Sequence, residues 1–147
     1  MEDIIRVRLR EKASGVLLVA AAAFAAAAMT APASAQDAAA KGQQLFTQQC
    51  AVCHQAMGLG IPTAFPPLKG NAVVNDADPS AHIHAVLHGV QGVVIAGVKY
   101  AAPMPEFGSH LSDAEIATII NYERTSWGNH GAPVTAERVA AERAKGK

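Results

Sequence analysis

The chain contains 147 residues, with 12 basic and 12 acidic side chains, so its formal net charge is zero. This balance excludes the strongly basic surface on which nucleic-acid binding depends. Only seven residues are aromatic, and one of these lies within the first 35 positions. The remainder is long enough for one compact domain. With so few aromatic rings, that domain needs another source of apolar bulk in its core.

The first 35 residues are predicted to be a cleaved secretory signal peptide. Four basic residues stand between positions 6 and 12, residues 16–29 are an unbroken apolar run, and Ala33-Ser34-Ala35 is an Ala-x-Ala cleavage site. These are the three parts of such a peptide. The apolar run of 14 residues is shorter than the roughly 20 residues that span a bilayer as a helix. We therefore expect an exported protein without a stable membrane span, starting at Gln36 with a net charge near −1.

Cys50, Cys53 and His54 form a Cys-x-x-Cys-His segment, the attachment pattern of c-type haem. Two thiols three residues apart on one turn can reach the two vinyl groups along one haem edge. The adjacent His54 is then carried to the iron as an axial ligand. The segment predicts one covalently bound haem c.

Three other readings of the cysteine pair are weaker. A thiol-disulfide motif is expected near a βαβ pattern, and no strand-helix-strand run surrounds this one. A zinc site needs more ligands than the two cysteines of the chain and their surroundings offer. A disulfide between Cys50 and Cys53 would close a very small loop and stabilise the fold little.

The sequence around the motif predicts helices separated by loops. Residues 37–49 favour a helix in which Gly42 and Phe46 share one face. Residues 57–76 are rich in Gly and Pro and indicate a loop. Asp78 as N-cap and Pro79 at the first helical position predict a helix that reaches His88 and stops at Gly89.

The second half of the chain predicts a small hairpin and two further helices. Residues 93–95 and 98–100 flank Ala96-Gly97, which favours a hairpin. Ser112 and Glu115 form a capping box, and the apolar stripe that follows predicts a helix ended near Gly128. A further short helix capped by Thr135 lies in residues 131–147, which we expect to be a surface tail because they are polar on most faces.

Met104 is the best candidate for the second axial ligand. It lies fifty positions after His54 between Pro103 and Pro105, and the prolines stiffen the backbone. Met57 is only three residues past His54 and cannot easily reach the opposite face of the ring. The remaining histidines are weaker candidates, namely His82, the pair His84 and His88 on a solvated helix face, His110 and His130.

Histidine-methionine ligation is the arrangement of electron-carrying cytochromes, and the thioether raises the reduction potential. It leaves no open iron position for a substrate, which favours an electron carrier over an enzyme. The alternative is a small haem enzyme or sensor in which Met104 dissociates to admit a ligand.

The chain as a whole resembles class I cytochromes c. It is similar to the small bacterial monohaem type found as electron-transfer subunits, or fused domains, of quinoprotein dehydrogenases and copper nitrite reductases. Beside the haem motif, the matching stretches within about residues 41–129 are Gly42-x-x-x-Phe46, Gly58-Leu59-Gly60-Ile61-Pro62, Phe65-Pro66-Pro67-Leu68, Met104-Pro105, Leu111-Ser112-Asp113-Ala114-Glu115-Ile116, Tyr122 and Ser126-Trp127-Gly128-Asn129.

The resemblance implies an all-α class I cytochrome c fold in residues 36–130, with three core helices around one haem. It implies that the first and last core helices cross near Gly42, Phe46 and Tyr122. It also implies that the Pro66 carbonyl accepts a hydrogen bond from His54 Nδ1, and that Leu68 packs on the haem.

Glu123 departs from the family pattern, since it stands in the stripe of Ile116, Ile119 and Ile120, where the family usually has an apolar residue. We expect Glu123 to lie at the edge of the helix contact or to be paired.

These observations predict a periplasmic carrier that passes single electrons between redox proteins such as a dehydrogenase, a nitrite reductase or a terminal oxidase. The loop of residues 89–103 is mostly Gly, Ala and Val, with Lys99 as its only charge. If this loop borders the haem edge, docking is mainly apolar.

Overall fold

The computed structural model describes residues 33–146, which are mainly helical. The predicted signal peptide lies outside the described residues except for its last three positions, which begin the first helix. The described residues form six helices and one antiparallel pair of strands: α1 Ala33–Gln49, α2 Ala51–His54, α3 Ala72–Asn75, α4 Ser80–His88, β1 Val94–Ile95, β2 Val98–Lys99, α5 Asp113–Thr125 and α6 Ala136–Lys145. Within this range no helix is both long enough and apolar enough to cross a membrane.

Helices α1 and α5 cross at Gly42, as the resemblance implies. A Cβ on Gly42 would lie 2.8 Å from the Tyr122 Cβ and 2.9 Å from the Thr118 carbonyl oxygen. One turn later Phe46 packs against Tyr122 and Trp127, with ring centroids 5.3 and 5.1 Å apart. The missing side chain at Gly42 therefore lets the two helices approach closely.

The predicted helix starts are found with small shifts. Ser112 and Glu115 form the complete capping box of α5. Helix α4 begins at Ser80, with Pro79 at the N-cap position. The Asp78 carboxylate still satisfies the helix end, because it accepts hydrogen bonds from the Ser80 backbone N–H at 3.1 Å and hydroxyl at 2.7 Å.

The predicted hairpin is also present. Val94 pairs with Lys99, and Ile95 pairs with Val98. Ala96 and Gly97 both have positive φ angles, of 49° and 79°, which a two-residue turn between antiparallel strands requires.

Two features differ from the prediction. The segment 57–76, predicted as loop, contains the one-turn helix α3, which begins because the Asn71 side chain accepts a hydrogen bond from the Val73 N–H at 2.9 Å. The residues predicted as a surface tail pack on the domain, since Val134 and Val139 are buried with the apolar side chains of α4 and α5.

The attachment of α6 depends on Asn121 of α5. Its amide donates to the Val134 carbonyl at 2.8 Å and accepts from the Val134 N–H at 2.7 Å. The sequence pattern of the tail does not predict this packing, because the tail is held by Asn121, a residue of another helix.

Candidate functional site

A cavity of about 590 Å³ opens between the helices, and its lining is mainly apolar. All six residues predicted to form the site line this one cavity: Cys50, Cys53, His54, Pro66, Leu68 and Met104. The set extends over 54 positions, from Cys50 to Met104, so the fold itself brings these residues together.

The attachment segment is a single helical turn. The Cys50 carbonyl accepts hydrogen bonds from the N–H groups of Cys53 and His54, at 3.2 and 3.0 Å. This turn leaves both cysteines half-buried as free thiols and buries His54, while Val52 remains 78% exposed. Burial raises the pKa of the Cys50 thiol, and the charges of Glu123 and Cys53 raise it further. Glu123 and Cys50 line the same cavity.

The His54 ring is oriented by a backbone carbonyl. Its Nδ1–H donates to the Pro66 carbonyl at 2.9 Å, as the resemblance implies. The loop around Pro66 is held in turn, because the Gly58 carbonyl accepts from the N–H groups of Leu68 and Lys69 at 2.8 and 3.0 Å. With Nδ1 carrying the proton, Nε2 has the lone pair that a metal ligand needs.

Met104 is fixed by its own backbone. Its N–H donates to the Val90 carbonyl at 2.8 Å, and its carbonyl accepts from the Val90 N–H at 3.1 Å. Gly89 makes this approach possible, because it has φ 73° and its missing Cβ would lie 2.6 Å from the Met104 carbonyl oxygen.

The segment that follows Met104 is tied to the end of α4. Phe107 N–H donates to the Val86 carbonyl at 3.0 Å, and Gly108 N–H donates to the Leu87 carbonyl at 3.1 Å. These bonds use carbonyls that a helix end leaves unpaired. The backbone of Met104 is therefore held by hydrogen bonds of its own and by those of the segment that follows it.

Sequence reasoning missed one partner in the cavity wall. Glu123 is paired, with its Oε2 2.8 Å from His82 Nε2, and the two residues are 3% and 4% exposed. Both line the cavity. The available signal was that His82 precedes the apolar Val86 by four positions, which places both on one helix face.

His84 and His88 are not the solvated pair that the sequence predicts. Their ring centroids are 4.6 Å apart, and His84 is exposed and lines the cavity, but His88 is half-buried and its Nε2 is buried. His110 and His130 are also exposed. Among the described residues no three His, Cys, Asp or Glu side chains are grouped to hold a metal ion. The zinc reading therefore gains no support.

The residues around the cavity fit a haem. A mainly apolar wall suits the faces of a large planar ring, two thiols suit covalent attachment, and an imidazole and a thioether suit axial ligation. The comparison with known protein families agrees with this, because the cytochrome c family model matches residues 39–127. The chain belongs to the cytochrome c family. It carries covalently bound haem c, and its function is haem-based electron transfer.

Individual cytochromes show the same relationship. The chain is 39% identical over 115 residues to cytochrome c-552 from Thermus thermophilus, covering 72% of this chain and 86% of that protein. It is 38% identical over 89 residues to the cytochrome c subunit of a quinone-dependent alcohol dehydrogenase from Gluconobacter oxydans, covering 60% of this chain and 19% of the subunit. It is 36% identical over 106 residues to the gluconate 2-dehydrogenase cytochrome c subunit from Pantoea cypripedii, covering 69% of this chain and 24% of that subunit. The chain spans about a fifth to a quarter of the length of these dehydrogenase subunits.

Proposed function

We propose that this cytochrome is a periplasmic monohaem electron carrier whose iron is ligated by His54 and Met104. Cys50 and Cys53 form the thioether bonds to the haem, and Pro66 and Leu68 complete the pocket. The observation that carries the proposal is the shared cavity, whose wall includes both the attachment turn, with its thiols and imidazole, and Met104 from a distant segment.

Each ligand has a defined task in this arrangement. The bond from His54 Nδ1 to the Pro66 carbonyl fixes the ring and raises the basicity of the ligating nitrogen. Backbone bonds to Val90 hold Met104 in place. When bound, the haem supplies a one-electron redox centre whose potential a thioether ligand raises. Because both axial positions are filled by the protein, we expect an electron carrier and not an enzyme.

Electrons are proposed to pass where the attachment turn reaches the surface. Val52, between the two cysteines, is 78% exposed, and Val94 at the hairpin is 65% exposed. The hairpin loop also contributes Val93 and Ile95 to the cavity wall, so it borders the site as the docking hypothesis requires. We call Val52, Val94 and Val98, which is also exposed, the apolar rim.

The proposed partners are redox proteins of the periplasm. Several relatives are named as cytochrome subunits of dehydrogenases, which makes a dehydrogenase the favoured electron donor. A nitrite reductase or a terminal oxidase fits as an acceptor. Export follows from the proposed signal peptide in residues 1–35, and the cytochrome domain that follows it includes α6, because Val139 is buried in its core.

Replacement of Met104 tests the ligation. In the haem-loaded Met104→Ala protein, we expect a lower reduction potential and loss of the weak long-wavelength ferric absorption band that a methionine sulfur ligand produces. Met57→Ala is the matched control, since Met57 is near His54 in sequence but 60% exposed. An unchanged potential and band in Met104→Ala would refute Met104 as ligand. High-spin iron in the unmodified protein would instead favour the ligand-binding haem enzyme or sensor.

A further inference from the structure

The wall of the haem cavity contains a buried acid-base pair that joins α4 to α5. His82 and Glu123 are almost fully buried, and their Nε2 and Oε2 atoms are 2.8 Å apart. An ionisable pair costs desolvation energy that an apolar pair would not. It is therefore unusual beside a helix contact built from apolar side chains such as Ile83, Leu87 and Ile116, and it calls for a role beyond packing.

We propose that the His82–Glu123 pair is a proton-binding site coupled to the redox state of the cytochrome. The inference rests on the haem being held in the cavity that the pair lines. Neutral imidazole and carboxylate together carry one negative charge. When the pair gains one further proton, as imidazolium with carboxylate or imidazole with carboxylic acid, its net charge is zero.

Proton binding and electron transfer are coupled through charge. Reduction adds one electron from the redox partner, and that negative charge favours the pair state that has gained one proton from solvent. Oxidation returns the electron to the acceptor and the proton to solvent. Inside an apolar wall such charges interact more strongly than in water.

Two observations place the pair where this coupling can act. Both side chains line the cavity, and the Glu123 charge contributes to the raised pKa of the Cys50 thiol, so its field reaches the haem attachment point. In addition, His82 Nδ1 is buried and makes no hydrogen bond to any described residue. In the tautomer whose Nε2–H donates to Glu123, Nδ1 carries the lone pair at which the pair can gain a proton.

The other charged and titratable groups on the surrounding elements are Cys50, Cys53 and His54 on the attachment turn, Asp37 and Lys41 on α1, Asp76 and Asp78 between α3 and α4, His84 and His88 on α4, Asp113, Glu115, Tyr122 and Arg124 on α5, and Glu137, Arg138, Glu142, Arg143 and Lys145 on α6. The Arg124 guanidinium donates to three backbone carbonyls. Glu142 accepts from Arg138 and Lys145. The two thiols cease to titrate once they form thioethers. His84 also lines the cavity. A variant that removes only the pair and keeps His84 therefore tells the two sources of proton coupling apart.

The test is the midpoint potential of the haem-loaded protein between about pH 5 and pH 8, where histidine side chains change charge. We expect the potential to fall as the pH rises, with a limiting slope of about 59 mV per tenfold change in proton concentration for one electron and one proton. The double variant His82→Leu with Glu123→Leu replaces the pair with apolar side chains and should have a flat curve over this range. His130→Gln, at an exposed histidine in a loop, should keep the curve of the unmodified protein.

A second, milder variant keeps the inference testable if the double variant does not fold. Glu123→Gln keeps the size and hydrogen-bonding capacity of the side chain but removes its charge, so it should raise the potential most at the alkaline end. Any of three results would overturn the inference: a flat curve in the unmodified protein, an unchanged slope in the double variant, or a Glu123→Gln protein with the original potential at every pH.

The ferric methionine band distinguishes failure of this inference from failure of the proposed ligation. Its absence from the unmodified protein would refute the ligation, whereas its presence with a flat curve would refute only the proton site.

Discussion

Gly42 of α1 faces Tyr122 of α5 so closely that a Cβ on Gly42 would lie 2.8 Å from the Tyr122 Cβ. The residue after Tyr122 is Glu123, whose side chain enters the wall of the haem cavity. The distance between α1 and α5 at this contact therefore also affects the position of Glu123 in the cavity wall. A single glycine links the packing of the helices to the electrostatics of the site.

Gly42→Ala should destabilise the protein. Crowding a packed contact costs about 1–3 kcal/mol, partly offset by the higher helix propensity of Ala, which is worth about 1 kcal/mol. We expect a net loss of up to about 2 kcal/mol in the free energy of unfolding, measured by denaturant titration of the haem-loaded protein. Gln43→Ala, at the exposed neighbouring position, should stay within about 0.5 kcal/mol. Equal or greater stability of Gly42→Ala would show that the contact is looser than described.

Arg124→Met should be more damaging, although Arg124 touches no ligand of the site. The side chain is fully buried and donates to the carbonyls of Ala132, Val74 and Asp76 at 2.7, 2.9 and 2.7 Å. A hydrogen bond from a charged group contributes about 1.5–3 kcal/mol, so we expect a loss of about 3 kcal/mol or more in unfolding free energy.

The control for Arg124 is Arg138→Met. Arg138 is a partly exposed arginine that pairs with Asp78 and with Glu142. Lys145 still pairs with Glu142 in the variant, and surface pairs contribute no more than about 1 kcal/mol. Losses of the same size in both variants would show that the three carbonyls do not depend on Arg124.

The capping box of α5 should contribute to the acid sensitivity of the fold. Hydrogen bonds from the Ser112 backbone N–H and hydroxyl lower the pKa of Glu115. A carboxyl with a lowered pKa in the folded state adds stability that is complete above its ordinary pKa of about 4.3. This stability is lost as the pH falls through the lowered value. In Glu115→Gln the denaturation midpoint should fall less steeply with decreasing pH, and the two proteins should converge in acid. If the denaturation midpoints of the two proteins changed in parallel with pH, Glu115 would not contribute to the acid sensitivity.

Docking through the apolar rim predicts a weak salt dependence. The rate of reduction by a purified quinone-dependent alcohol dehydrogenase should change less than about threefold as the Debye length shrinks from about 30 Å at 0.01 M to about 8 Å at 0.15 M salt. Val94→Glu should slow the reaction, while Thr47→Glu, at an exposed position on α1, should not. A steep fall in rate with salt would instead indicate docking through charges.

Features decided by neighbouring residues could be predicted from the sequence. The capping box needs only Ser112 and Glu115, and the hairpin needs only a turn at Ala96 and Gly97 between short apolar runs. The haem follows from the attachment motif, because covalent chemistry depends on that short segment alone. In each case the cause and the structure lie within a few residues of each other.

Features decided by distant residues could not be predicted in full. The position of Glu123 within an apolar stripe predicted a partner or an edge position, and the structure shows the partner. It did not identify His82, 41 positions earlier, because the choice among the six histidines depends on how α4 rotates against α5. The burial of Val139 in the predicted tail was missed for the same reason.

The packing of α6 shows that the folded domain extends beyond the residues that match the family. The family match stops at residue 127, yet Val134 and Val139 belong to the same apolar cluster as Ile116 and Ile120. A polypeptide cut after Asn129 would retain every residue of the haem site and still lose part of its core. The smallest autonomous unit of this cytochrome therefore includes α6, and transplanting the domain into another protein requires that helix as well.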